Sequence, residues 1–428
     1  MGITPPPLDS PAPETHPGTA APSDGRAEEV HTAYTLADSK PPLDEEVLKV
    51  EDLTVEFPTD DGLVKAVRGV DYTLRAREVL GIVGESGSGK SVSSMAIMGL
   101  LPKNARIRGR ILYRGKDILA MRAKEQRALR GEKIAMIFQD PMTSLNPVHT
   151  VGDQLAEAVL AHHLVPRRQA LAKARHMLDL VGIPQAEKRL RAYPHEFSGG
   201  MRQRVMIAMA IINDPDVIIA DEPTTALDVT VQAQILEKLL QVKDEVNAAI
   251  LMITHDLGVI AGMAHRTLVM YAGKPVEVGG TDDVFYTPRM PYTAGLLGSI
   301  PSLEGEGEER LRPITGTPPS LIRMPPGCPF SPRCPLASDV CRESEPELAS
   351  AGRDHWAACH HSDRLAEAED PTMFFRTDTE RATAAGAAEA AGAGEPADAV
   401  PAQAGGDRAT DATDTTASTA STESEEGQ

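Results

Sequence analysis

Long apolar runs are missing from this 428-residue chain. No stretch approaches the roughly 18 uninterrupted apolar residues of a bilayer-spanning helix, which excludes a membrane-spanning class. The most apolar windows, 205–220 and 249–263, are broken by Asn213-Asp214-Pro215-Asp216 and by His255-Asp256, so they read as buried core of a soluble protein. A basic segment followed by an apolar run is also absent from the N-terminus, and no secretory leader is expected. Cysteine is scarce: all four lie between positions 328 and 359. In a chain without an export signal that favours a metal site over a disulfide framework. There is no surplus of basic residues. The net charge is −19, of which residues 1–47 (nine acids, two bases) carry −7 and residues 376–428 (eleven acids, three bases) carry −8, leaving −4 on the central 328 residues. Nothing in that balance points to nucleic acid. The N-terminal tail, 1–47, is rich in Pro, Ala, Asp and Glu, and the C-terminal tail, 362–428, in Ala, Gly, Thr and Glu. Neither has the apolar surface to offset its ordering entropy, and both are expected to be disordered.

What is present is organised around Gly84-Glu85-Ser86-Gly87-Ser88-Gly89-Lys90-Ser91. The apolar run Val79–Val83 precedes it and a helix-like segment, Val92 to Leu100, follows. Strand, Gly-rich loop and helix are the context required by the phosphate-loop pattern G-x-x-x-x-G-K-[ST]. Glycines let backbone N–H groups converge on a polyphosphate, and the following helix adds its N-terminal N–H groups and dipole. Lys90 reaches the β- and γ-phosphates and the Ser91 hydroxyl ligates Mg²⁺. The chain therefore binds a nucleoside triphosphate on this reading.

Upstream, Leu48–Val55, Leu63–Val67 and Val70–Leu74 read as short strands, the first two joined by the turn-forming Pro58-Thr59-Asp60-Asp61-Gly62. Phe57, 27 residues before Gly84, is either a purine-stacking ring or an ordinary core phenylalanine. Stacking of that kind is worth ~1–3 kcal/mol. Downstream come a β-rich piece, Arg108–Asp117, and a buried strand, Ile134–Phe138, ending in Gln139. Open α/β sheets place ligands at such strand ends, where a glutamine can touch both Mg²⁺ and an attacking water. Helical spacing of apolar residues over 151–196 predicts an inserted helical subdomain, about 145–212. Ser198-Gly199-Gly200 opens a helix and forms either a second anion site or a plain cap. The strand Val217–Ala220 runs into Asp221, placed to hold Mg²⁺ through water, and Glu222, placed to polarise a water aimed at the γ-phosphate. A third strand, Ala249–Thr254, ends in His255, which is either structural or a bridge between γ-phosphate and catalytic carboxylate.

In order, Phe57, the loop 84–91, Gln139, Ser198-Gly199-Gly200, Asp221-Glu222, Ala226-Leu227-Asp228 and His255 resemble the motifs of an ABC transporter ATP-binding subunit. The longer segments Phe138-Gln139-Asp140-Pro141-Met142-Thr143-Ser144-Leu145-Asn146-Pro147, Phe197–Arg204, Tyr286–Thr293, Gly327-Cys328-Pro329-Phe330 and Pro332-Arg333-Cys334-Pro335 resemble the oligopeptide/dipeptide/nickel importer ATPases. The resemblance covers about 48–361. Phe197 and Met201 replace the outer residues of the family's Leu-Ser-Gly-Gly-Gln signature, and the Met is similar to the first of two paralogous ATPases that pair as a heterodimer. The resemblance implies an α/β P-loop NTPase cassette: a RecA-like core, an antiparallel β subdomain and an α-helical subdomain within 48–283, then a small Cys-containing C-terminal region, 284–361.

It implies ATP and Mg²⁺ (through Ser91, Gln139 and Asp221) as ligands, catalysis by Glu222 and His255, and nucleotide contacts from Phe57, residues 84–91, Gln139, Ser198, Gly199, Gly200, Asp221 and Asp228. It further implies closure of two subunits over ATP, a paralogous ATPase and two permeases as partners, an extracytoplasmic binding protein reached through the permeases, a place on the cytoplasmic face of the membrane, and no nucleic acid. Peptides are the expected cargo, with nickel or another solute as the alternative. A soluble ABC ATPase of translation or DNA repair fits less well, because one cassette and no heptad run are present. Cys328, Cys334, Cys341 and Cys359 are separated by five, six and seventeen residues. That spacing suits a Cys₄ iron–sulfur or zinc site or four unrelated buried thiols. The resemblance favours a [4Fe–4S] cluster, with Zn²⁺ as the alternative.

Overall fold

The computed structural model describes residues 45–224, 228–300 and 314–375, which lie in one compact unit. Of the expected disordered tails 1–47 and 362–428, the parts 1–44 and 376–428 lie outside the described residues, as do Ala226 and Leu227, whereas Glu46 and Val47 already belong to the first strand, Glu46–Thr59, with Val47 buried. Two sheets carry the fold. The first is four-stranded and antiparallel, in the order β2-β1-β4-β5, from β1 (Glu46–Thr59), β2 (Gly62–Arg75), β4 (Arg106–Tyr113) and β5 (Lys116–Asp117). The second has eight strands in the order β11-β12-β10-β9-β3-β8-β7-β6. Its members are β3 (Val79–Val83), β6 (Ile134–Ile137), β7 (Val217–Asp221), β8 (Ala249–Ile253), β9 (Arg266–Tyr271), β10 (Lys274–Gly280), β11 (Ala349–Gly352) and β12 (His355–Ala357).

The run β9-β3-β8-β7-β6 is parallel. Helices cover a parallel sheet on both faces, so its strands read as continuous apolar runs instead of alternating ones. Accordingly every residue of β3, β7 and β8 is buried. The C-terminal ends of β3, β6, β7 and β8 therefore lie side by side, and each delivers one of the motifs.

Three features differ from the sequence reading. The segments 63–67 and 70–74 are one strand: Gly69 adopts φ +91° and the β1–β2 register shifts between Leu53 (opposite Val70) and Thr54 (opposite Arg68), so the apparent break is a bulge. The C-terminal region does not stand apart from the cassette. Strand β12 pairs with β10 (Glu277 with Ala357), and Tyr292, Cys328, Phe330 and Cys341 belong to the same buried cluster as the core-sheet strands. The expected C-terminal tail also starts too early. Ser362–Ala366 is a helix and Pro371–Phe375 a 3₁₀ turn, held because Leu365, Phe374 and Phe375 pack with Ala294 and Leu336.

The helices Val151–Leu160 and Arg167–Leu180 bury Leu155, Val159, Met177 and Leu178 against the Gly199–Ile211 helix. No helix among the described residues is long and apolar enough to cross a membrane.

Candidate functional site

The phosphate loop turns out of β3 at a place where only glycine fits. Gly84 has φ +147°, and a Cβ there would lie 2.2 Å from the Met270 carbonyl oxygen. Gly89 has φ +101°, with 2.4 Å to the Ala66 carbonyl. The two glycines thus let the loop nestle against β2 and the end of β9, as close backbone approach requires. Lys90 opens the next helix, Lys90–Met98, and is buried. Its Nζ donates to the carbonyls of Gly84 (2.6 Å) and Glu85 (3.0 Å) and to Ser88 Oγ (3.4 Å). Burial pulls its pKa down, opposed by the charges of Glu222, Asp221 and Glu85.

Ser91 Oγ donates to Asp221 Oδ1 at 2.9 Å, which joins the first turn of that helix to the end of β7. Burial raises the Asp221 carboxyl and the neighbouring Glu222 charge adds to this, while Ser91 and Lys90 oppose it. A hydroxyl and a buried carboxylate in contact form the donor pair that a hard divalent cation takes, so Ser91 and Asp221 fit Mg²⁺. Gln139, the third expected ligand, is exposed and donates through Nε2 to Glu222 Oε2 at 2.9 Å. Glu222 Oε1 lies 3.2 Å from His255 Nδ1. Gln139, Glu222 and His255, from three adjacent strand ends, thus form one polar group beside the loop. Glu222 also has φ +48°, and its N–H donates to the Ile253 carbonyl at 2.8 Å. A left-handed glutamate is costly, and such strain clusters at functional sites.

Other expected site residues have local duties. Ser198 caps its own helix, accepting from Met201 N at 3.4 Å. A Cβ on Gly200 would sit 2.8 Å from Val231 Cγ1, so that glycine lets the signature helix pack on the Val229–Val246 helix. Asp228 caps that second helix, accepting from Val231 N at 2.9 Å. Phe57 is half-buried at the end of β1, opposite Val64. Ser86 and Gly87 are exposed at the tip of the loop.

Glu85 departs most from expectation. Its carboxylate is engaged by Arg333, with Nη1 to Oε2 at 2.6 Å and Nη2 to Oε1 at 2.8 Å, and its N–H donates to the Tyr292 hydroxyl at 2.8 Å. Arg333 and Tyr292 were missed as site residues. Their segments, Pro332–Pro335 and Tyr286–Thr293, stand out in the sequence, but the first draws attention to its cysteine.

The four thiols are free, and all four line one small cavity with Met290, Phe330, His360 and His361. Burial raises Cys328, and raises Cys334 and Cys359 to about 12. Among the described residues no group of three or more His, Cys, Asp or Glu is arranged as a set of metal ligands. The structure therefore shows no ligand set for the expected iron–sulfur or zinc site among the described residues.

A family profile described as ABC transporter matches residues 67–225, and another, Oligopeptide/dipeptide transporter, C-terminal region, matches 276–341. The chain is 56% identical over 308 residues to the oligopeptide transport ATP-binding protein OppD of Salmonella typhimurium, which covers 72% of this chain and 92% of that one. The chain belongs to the ABC transporter ATP-binding family. Within that family it is also 53% identical over 325 residues to the dipeptide transport ATP-binding protein DppD of Bacillus subtilis, covering 76% of this chain and 97% of that one. With OppD of Mycobacterium tuberculosis it shares 52% identity over 340 residues, 79% of this chain and 55% of the relative. The chain spans about half the length of the mycobacterial relatives it matches.

Proposed function

We propose that this chain is an ATP-hydrolysing subunit that powers peptide import through an ABC transporter. The observation that carries the reading is the polar group Gln139–Glu222–His255 at the strand ends beside Lys90, Ser91 and Asp221. Phosphoryl transfer to water needs little covalent help; it needs positioning and charge stabilisation. Lys90, already among the loop carbonyls, exchanges them for phosphate oxygens. Ser91 and Asp221 would hold Mg²⁺, which supplies neutralisation of charge across the β- and γ-phosphates. Glu222 accepts a proton from the attacking water or orients it. Gln139 and His255, each bonded to one of its oxygens, hold the carboxylate in place for that purpose.

The names of the relatives support peptide as cargo, and the C-terminal match supports the same branch of the family. The family resemblance supports the rest of the assembly. Ser198, Gly199 and Gly200 would face the phosphate loop of a second, paralogous ATPase, so that ATP closes the pair and hydrolysis reopens it. Two permeases convey that motion, an extracytoplasmic binding protein delivers the peptide, and the chain sits on the cytoplasmic membrane face. The convergence of four free thiols supports a metal centre, a [4Fe–4S] cluster or Zn²⁺, that would staple the C-terminal region. The test is reconstitution of the chain with its permeases and second ATPase in vesicles. Peptide-loaded binding protein is expected to stimulate ATP hydrolysis and ATP to drive peptide uptake. Hydrolysis indifferent to peptide, with uptake of another solute, would contradict the cargo.

A further inference from the structure

The phosphate loop is held at one residue, Glu85, by side chains far along the chain. Arg333 grips its carboxylate with two parallel bonds, across 248 positions of sequence. The guanidinium has little freedom of its own. Its Nε donates to the Thr315 carbonyl at 3.0 Å, Nη2 also to the Ile314 carbonyl and Nη1 to the Tyr271 hydroxyl, each at 3.3 Å. It lies 5.9 Å from the centroids of Tyr271 and Phe330, and its side chain is 4% exposed. Those two rings pack with Tyr292 at centroid distances of 4.5–5.4 Å, and the Tyr292 hydroxyl takes the Glu85 N–H. Side chain and main chain of Glu85 are thus fixed from one rigid cluster. The Glu85 carbonyl, in turn, accepts from Lys90 Nζ.

This is not a surface ion pair of the kind that contributes ~0–1 kcal/mol. A fork-to-fork arginine–carboxylate contact fixes geometry as well as energy. Its partner in the loop is the residue whose carbonyl helps to place the phosphate-binding ammonium. The geometry points to Arg333 as a positioning residue of the ATP site: through Glu85, the C-terminal region sets the shape of the phosphate loop and so the affinity for the triphosphate. The inference rests on the reading of this loop as an ATP site.

The test is a double-mutant cycle in the full-length chain with Glu85→Gln, Arg333→Gln and both together. Affinity is read with a fluorescent ATP analogue, KM and kcat from ATP hydrolysis, and the melting temperature without nucleotide. Glu85→Gln is close to isosteric and guards against misfolding of the arginine variant. Each single variant is expected to weaken binding and raise KM by about tenfold, the factor that ~1.4 kcal/mol represents, with kcat changed by less than about threefold. The double variant is expected to be no weaker than either single one, because the pair acts as a unit. A change in melting temperature with unaltered KM, or effects on KM that simply add, would overturn the proposal while leaving the ATP site intact. Absence of analogue binding by the unmodified chain would overturn the ATP-site reading and this inference with it.

Discussion

Replacing Glu222 by glutamine separates binding from chemistry. The amide keeps the volume and the reach of the side chain, so contacts with Gln139 Nε2 and His255 Nδ1 need only small adjustments. It cannot accept a proton at neutral pH, and removal of a general base typically lowers a rate by ~10²–10⁴. At about 1.36 kcal/mol per decade that is a barrier higher by roughly 2.7–5.4 kcal/mol. Electrostatics of the binding groups change less. Glu222 is one of several charges that raise Lys90, and it adds to the burial that raises Asp221, so the variant leaves Lys90 somewhat easier to deprotonate and Asp221 easier to ionise. Neither effect removes a phosphate contact. Steady-state hydrolysis at about pH 7.5, close to neutral, together with equilibrium ATP binding measures both sides. The expected result is a kcat down by two to four decades, on the order set by general-base loss, with ATP binding retained. Turnover within tenfold of the unmodified protein would refute the role of Glu222 and with it the account of the strand-end group.

Two further outcomes follow from the same physics. Burial lowers Lys90 in the free protein, and a bound polyphosphate favours its charged form, so above the free-state value binding must take up a proton. Metal-free affinity for ATP should therefore fall as pH rises from 8 (above ordinary nucleotide phosphate titration, pKa about 6 to 7), starting below the 10.5 of an ordinary lysine; affinity that stays flat up to 10.5 would contradict this. With Cys334 and Cys359 pushed up to about 12, the thiolate fraction of each at pH 8 is on the order of 10⁻⁴. In metal-free native protein, alkylation of these two by iodoacetamide should run several hundred-fold or more below the rate in the unfolded chain, and equal rates would show the thiols to be solvated.

Much of the site was legible because its chemistry is local. A phosphate loop is a strand, a turn and a helix within a dozen residues, and Asp221-Glu222 announces itself at the end of a wholly apolar strand. The grouping of Gln139, Glu222 and His255 followed from strand ends, since a parallel sheet brings its C-terminal edges together. What was not legible depends on distance or on small numbers of contacts. Nothing near Glu85 in sequence announces Arg333, and nothing near Arg333 announces a phosphate loop. The turn Pro371–Phe375 rests on a few apolar residues, Leu365, Phe374 and Phe375, set in a polar stretch too sparse to show a period. Gly69 reads as a strand break because glycine usually ends a run, whereas here its positive φ accommodates a bulge within β2.

At the centre of the proposed function is a nucleotide enclosed by two ATPase subunits, with Lys90 on one side and a signature serine on the other. Light scattering of the Glu222→Gln protein, alone and mixed with the proposed second ATPase, measures this directly. The account predicts a particle of two subunits when ATP and Mg²⁺ are present and single subunits with ADP; single subunits under every nucleotide condition would contradict it.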